Sequence, residues 1–356
     1  MFRLILATTL CLLVSGCTNI AYYAQAVEGQ VQLMMASRPI SVVVADAATD
    51  PGLRQKLEQA TAIREFASRE LALPDNDSYR YYADLGRPYV VWNVFAAPEF
   101  SVEPQQWCLL FIYCFKYRGY YDKVAADMYA DEVRRTGTDV YVGGVPAYST
   151  LGFFDDPVLN TFLRFGDQEV ARLVFHELAH QVAYANNDTA FNESFATTVE
   201  NEGMRRWLHR SGTPEQLRAF EMRQGRQAQF NRLVTDSRDQ LREIYSSSLP
   251  LDAKRRAKSE VLAQMKRTYA GLKASWGNSA AYDRWFSQPL NNASLGSIAL
   301  YTQWIPAFNA LLEQEGGNLP RFYLRVEALA RLPKAERTTA LELLLQDRAG
   351  FSASAS

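Results

Sequence analysis

Histidine is scarce in this 356-residue sequence, occurring only as His176, His180 and His209. Any chemistry that needs an imidazole must use these three positions. Cysteine is nearly as rare, with Cys11, Cys17, Cys108 and Cys114, too few for a small disulfide-held scaffold. Neither sign of charge is in excess. The 38 basic and 39 acidic side chains leave a net charge of −1, so there is no basic footprint and nucleic acid is not expected as a partner. Long apolar runs are missing apart from Leu4 to Val14, which is shorter than the roughly 20 residues a permanent membrane helix needs. What remains is ordinary globular composition: 48% hydrophobic residues and enough length for a substantial core.

The apolar run follows Met1-Phe2-Arg3, as in a secretory signal, and ends in Leu13-Val14-Ser15-Gly16-Cys17. That ending resembles a bacterial lipobox. The resemblance implies a lipoprotein signal peptide at 1–16, cleavage before Cys17, and a membrane partner reached through a lipid on the Cys17 thiol. Thr18 follows where an Asp would signal inner-membrane retention, which points to the outer membrane with the domain facing the periplasm. An ordinary secretory signal with an incidental cysteine is the alternative. With Cys11 removed and Cys17 modified, Cys108 and Cys114 form an even pair in an oxidising compartment, a possible disulfide. Two buried free thiols are the alternative.

Residues 21–73 carry helical periodicity, interrupted near Arg38-Pro39. Tyr89 to Phe95, Trp107 to Tyr117 and Asp139 to Val145 are β-rich, with a helix over 123–135 that stops at Gly137. Beyond Asp167 helices are expected near 167–186, 191–210, 214–245 and 251–275, the last two as a long charged hairpin with no functional content expected. The expected fold is α+β and mostly α. No linker or repeat divides it, so 17–356 reads as one composite domain, mixed over 17–166 and mainly helical over 167–350.

Both histidines outside the far helix end fall in Val174-Phe175-His176-Glu177-Leu178-Ala179-His180, an H-E-x-x-H pattern. On an α-helix, positions i and i+4 share a face, so both imidazoles can bind one zinc ion. Glu177, beside the first ligand, is placed to act as general base toward the hydrolytic water. Leaving two imidazoles and a carboxylate unpaired on a buried helix would cost several kcal/mol, so a metal is the better account. Ala183 and Asn186 stand where a metzincin needs Gly and His, which excludes that class. Glu193 is the leading third ligand, with Glu200 and His209 as alternatives; Glu200 or Thr197 could instead orient a histidine N–H.

Asn192-Glu193-Ser194-Phe195-Ala196 resembles the N-E-x-x-A segment that supplies the glutamate ligand in gluzincin metallopeptidases, at a shorter spacing from the H-E-x-x-H helix. The wider chain resembles a family of putative aminopeptidases found in bacteria. The matching stretches include Arg38-Pro39-Ile40, Leu73-Pro74-Asp75-Asn76, Arg87 to Ala97, Tyr117-Arg118-Gly119-Tyr120, and Ala147 to Gly152 with Phe154-Asp155-Asp156-Pro157. These resemblances imply a zincin-like core with a small sheet before the H-E-x-x-H helix. They also imply one Zn2+ per chain and a peptide substrate.

Val140 to Ala147 is placed in sequence for an edge strand that holds substrate backbone, with Gly143 and Gly144 allowing close approach. Tyr148 and Tyr301 are candidate oxyanion donors. Glu200, Glu202, Asp155 and Asp156 are candidates for holding a substrate α-amino group. The expected activity is therefore that of a zinc aminopeptidase. A zinc endopeptidase, or a lipoprotein whose metal merely pins two helices, are the alternatives.

Overall fold

The computed structural model describes residues 22–109, 113–299 and 303–354. The expected signal segment with Cys11 and Cys17, and Tyr301, lie outside them. Helix α1 spans 22–36 and leads through β1 (Arg38–Pro39) into α2 (Ile40–Ala45) and α3 (Pro51–Leu71). Asp50 caps α3 by accepting from the Leu53 N–H, and Pro51 sits in the first turn, where its missing N–H costs nothing. Next come β2 (Tyr81–Ala83), β3 (Val91–Ala97), the β4 (Trp107–Leu109) and β5 (Tyr113–Phe115) hairpin, and β6 (Arg118–Tyr120). Helix α4 (Lys123–Arg134), β7 (Asp139–Val145), β8 (Val158–Leu159) and α5 (Asn160–Leu163) complete the mixed part.

The rest is helical: α6 (Asp167–Val182), α7 (Thr189–Ser211), α8 (Pro214–Ser246), α9 (Leu251–Ser275), α10 (Asp283–Phe286), α11 (Asn292–Ala299), α12 (Ile305–Gln314), α13 (Leu319–Arg331) and α14 (Lys334–Ser354). The class is α+β and mostly helical. Helix α6 stops at Val182, short of the expected 186, because Ala183 turns extended. Helix α7 begins earlier than expected, since Asp188 caps it.

The sheets are small. Strand β3 runs antiparallel between β6 and β7, while β2 pairs antiparallel with β1 and parallel with β8. Cys108 and Cys114 face each other across the β4–β5 hairpin and are joined as a disulfide. The main core packs α3, α6, α7 and α12–α14 around Ile63, Phe175, Phe191, Phe195, Phe308 and Phe322, each fully buried. A second core under α8 and α9 holds Phe230, Leu241, Met265 and Phe286. Among the described residues no helix is long and apolar enough to cross a membrane.

Two devices fix the elements that matter most. Arg64 of α3 is completely buried, and its guanidinium donates to the carbonyls of Pro74, Asn76 and Ser78 at 2.7–2.9 Å. That cage holds the loop after α3, and Asn76 Nδ2 donates to Gln181 Oε1 of α6 at 2.7 Å. The second device is the α6–α7 turn. Asn192 clamps it by exchanging hydrogen bonds with the Ala185 backbone at 2.7 and 2.9 Å. Asp188 caps α7 and also accepts from buried Arg337 Nε at 2.9 Å, so α14 locks the turn from outside.

Candidate metal centre

The short turn folds α7 back along α6, bringing Glu193 opposite the histidine pair. His176 Nε2 lies 3.2 Å and His180 Nε2 3.8 Å from Glu193 Oε2. One ligand atom from each of His176, His180 and Glu193 lies within 4.8 Å of the others, and these three residues could hold a metal ion. Two turns further along α7, Glu200 Oε2 sits 3.0 Å from His176 Nδ1. With Nδ1–H donating to an ionised Glu200, a neutral His176 carries its lone pair on Nε2, the nitrogen on the Glu193 side. Arg172 in turn donates to Glu200 Oε1 at 3.1 Å and is itself tied to Glu169 at 2.9 Å.

Electrostatics follow from burial and from this crowding of carboxylates. Burial works against a charge on His176, yet hydrogen bonds to Glu193 and Glu200 and the nearby Glu177 raise it to about 10. His180 has no second carboxylate, and burial lowers it to about 4. Its Nδ1 is buried without a hydrogen-bond partner. Burial tends to raise Glu193 and Glu200, but His180 and His176 hold the first, and Arg172 and His176 the second, below the usual carboxylate range. Glu177 is raised to about 7, chiefly by burial and then by Glu193 and Asp156 against the opposing His176. Three carboxylates converging on neutral-capable imidazoles make a pocket of negative potential in low dielectric, an environment that favours a cation.

Several expected residues lie elsewhere. His209 lines a surface cavity with Glu70, Arg205 and Arg210 and takes no part in the cluster. Glu202 is engaged by Arg205 and Arg206, and Asp156 accepts from the Thr150 N–H at 2.9 Å. Tyr148 bonds to the Tyr121 hydroxyl at 2.6 Å and to Gln30. Strand β7 is at a sheet edge, but the Asn291 side chain already donates to its Val140 carbonyl at 3.0 Å. A Cβ on its Gly144 would stand 2.4 Å from the Tyr89 ring, which leaves no room for a side chain, and one on Gly143 would stand 3.2 Å from the Tyr141 ring.

Two other tyrosines feel the charge of the cluster's carboxylates. Tyr79, on the loop caged by Arg64, is fully buried with its hydroxyl unpartnered, and its φ of 64° lies in the left-handed region that a bulky residue rarely adopts. Burial and then the charge of Glu177 push its pKa up. Tyr117, between β5 and β6, is likewise pushed up by burial, then by Glu193 and Glu177. Tyr117 stands in a stretch that carries the family resemblance. Tyr79 follows a turn cluster, and its only sequence signal was that position.

A family model described as putative aminopeptidase matches residues 21–341, and the chain belongs to that family. No match was found among curated proteins, nor among solved structures.

Proposed function

We propose that this protein is a zinc-dependent peptidase with a zincin-like, gluzincin-type centre, acting as an aminopeptidase. The observation that carries the reading is the grip of Glu200 on His176 Nδ1, which turns Nε2 toward His180 and Glu193. Two imidazoles and one carboxylate form a donor set suited to zinc, whereas harder cations prefer all-oxygen sets. His176, His180 and Glu193 would hold it, leaving a fourth position open. When bound, zinc supplies Lewis-acid polarisation of the scissile carbonyl and acidifies water.

The protein's own residues do the rest. Glu177, raised to about 7 by burial, takes a proton from the attacking water and passes it to the leaving amine. Tyr117, whose proton is held by burial and by the nearby charge of Glu193, is the candidate donor to the developing oxyanion. The family description supports the aminopeptidase mode. The test is hydrolysis of free-amine peptides against their N-acetylated forms, before and after zinc removal. Loss on chelation, recovery with zinc and preference for the free amine are expected. Equal rates on blocked peptides would make it an endopeptidase, and activity indifferent to chelator would contradict the metal.

The proposal extends to location. The lipobox-like Cys17 and the Cys108–Cys114 disulfide support a lipid-anchored protein of the bacterial envelope, on the outer membrane facing the periplasm. Cys17→Ser should release the protein from membranes; retention would contradict the anchor.

A further inference from the structure

Beside the candidate centre opens a cavity of about 880 Å3, walled by α7, α8, α11, α12 and the β5–β6 turn. Two of its wall residues are close in sequence to groups of the centre. Thr197, on its wall, is one helical turn beyond Glu193 on α7. Lys116, also on its wall, immediately precedes Tyr117, whose hydroxyl senses Glu193 and Glu177.

The charges on that wall are unbalanced. Lys116, Arg232, Arg238 and Arg242 face two carboxylates, Glu103 and Asp239. Asp239 is taken by Arg242, and Glu103 stands 3.7 Å from Arg242 and 3.8 Å from Arg238. Lys116 and Arg232 have no hydrogen bond or ion pair among the described residues. Arg238 donates to the Val102 carbonyl at 3.1 Å, but its Nε is buried with no partner. Burial and then Lys334 hold the Lys116 amino group below its ordinary pKa, against the opposing charges of Glu103 and Asp188. Arg232 is exposed, whereas Lys116 and Arg238 are partly buried, where a cation is unfavourable unless an anion neutralises it. Amide side chains of Asn201, Gln224, Gln227 and Asn231 fill the remaining wall and offer uncharged donors and acceptors.

We propose that this cavity is the specificity site of the peptidase and selects substrates that carry carboxylates, with Lys116, Arg232 and Arg238 as the recognising cations. The proposal rests on the peptidase reading above and names its substrate class: acidic peptides. The carboxylate is either an acidic side chain or the peptide's C-terminus, and both offer the same charge-assisted acceptor. On this reading α8, whose charged surface carried no functional expectation in the sequence, supplies the cavity's principal cations.

The test uses the zinc-loaded mature chain carrying Glu177→Gln, in which bound peptide is not consumed, with affinities read by calorimetry. The probes are Ala-Ala-Glu-Ala, Ala-Ala-Gln-Ala and the C-terminal amide of each. A preference of roughly tenfold or more for a carboxylate over its amide is expected. The Glu/Gln comparison reads the side chain, and the acid/amide comparison reads the C-terminus. Lys116→Gln with Arg232→Gln should bring the preference toward one, while Lys56→Gln on the exposed face of α3 should keep it. Both cavity cations lack protein partners, so these variants should fold, as thermal melts will show.

Equal affinity for all four probes, or a preference that survives loss of both cations, would overturn the proposal even if the wild-type enzyme hydrolyses peptides. Carboxylate-selective binding without hydrolysis by the wild type would uphold the cavity's selectivity and overturn the peptidase reading.

Discussion

Glu200 shows what a single residue contributes at this centre. It coordinates nothing in the proposed ligand set, yet its carboxylate decides which nitrogen of His176 is free. Glu177 has the complementary position: it neighbours a ligand in sequence but makes no hydrogen bond to the cluster. The two are separable by substitution. Glu177→Gln should retain metal while hydrolysis falls by about 100-fold or more, the usual contribution of a general base. Zinc content and kcat measured on the same preparation check this, and unchanged turnover would remove Glu177 from the mechanism. At this scale the sequence was legible where chemistry is encoded by helical spacing. His176, Glu177 and His180 were readable because i and i+4 share a face whatever the surrounding fold. Tyr79 and Tyr117 were not, because their approach to Glu177 depends on a carbonyl cage around Arg64 and on a strand turn far away in sequence.

At the scale of elements, the centre depends on how closely α6 and α7 approach. At Gly203 of α7 there is no room for a side chain against α3 and α6. A Cβ there would stand 2.7 Å from Leu71 Cδ1 and 2.8 Å from Phe175 Cδ2, and Phe175 directly precedes His176. Gly203→Ala should therefore push the helices apart at a cost of roughly 1–3 kcal/mol. It should also weaken zinc binding, because Glu193 and Glu200 ride on the displaced helix. Denaturant titration together with competitive zinc titration would show both effects, and an alanine variant with native zinc affinity would contradict the coupling. The existence and type of α6–α9 were legible from periodicity. Their ends were less so, since the early stop at Val182 comes from Asn192 clamping Ala185 across the turn, a contact between chain segments that no local propensity encodes.

Over the whole molecule, the centre shares its core with groups that titrate. Asp156 lies near Tyr79 and is raised to about 6, chiefly by burial against the hydrogen bonds of Thr150 and Ser149. Its folded state holds the proton more tightly than the unfolded chain does. The stability this contributes is full below about pH 4, the ordinary Asp value, and is lost as pH rises to about 6. Asp156→Asn should remove a contribution that falls by something on the order of 3 kcal/mol over that window. Urea titrations of wild type and variant between pH 4 and 7 read it as the difference between the two profiles, since His180 and Glu177 titrate there in both, and two parallel profiles would contradict the assignment.

The account's central claim is that His176, His180 and Glu193 form one zinc site. The most direct test is metal content of the soluble chain beginning after Cys17, purified without chelator and compared with Glu193→Ala under the same chelator challenge. The wild type should hold about one zinc per chain, with affinity at least roughly tenfold above that of the variant. A wild-type chain that binds no zinc even when it is supplied, or a variant that binds it equally well, would contradict the claim.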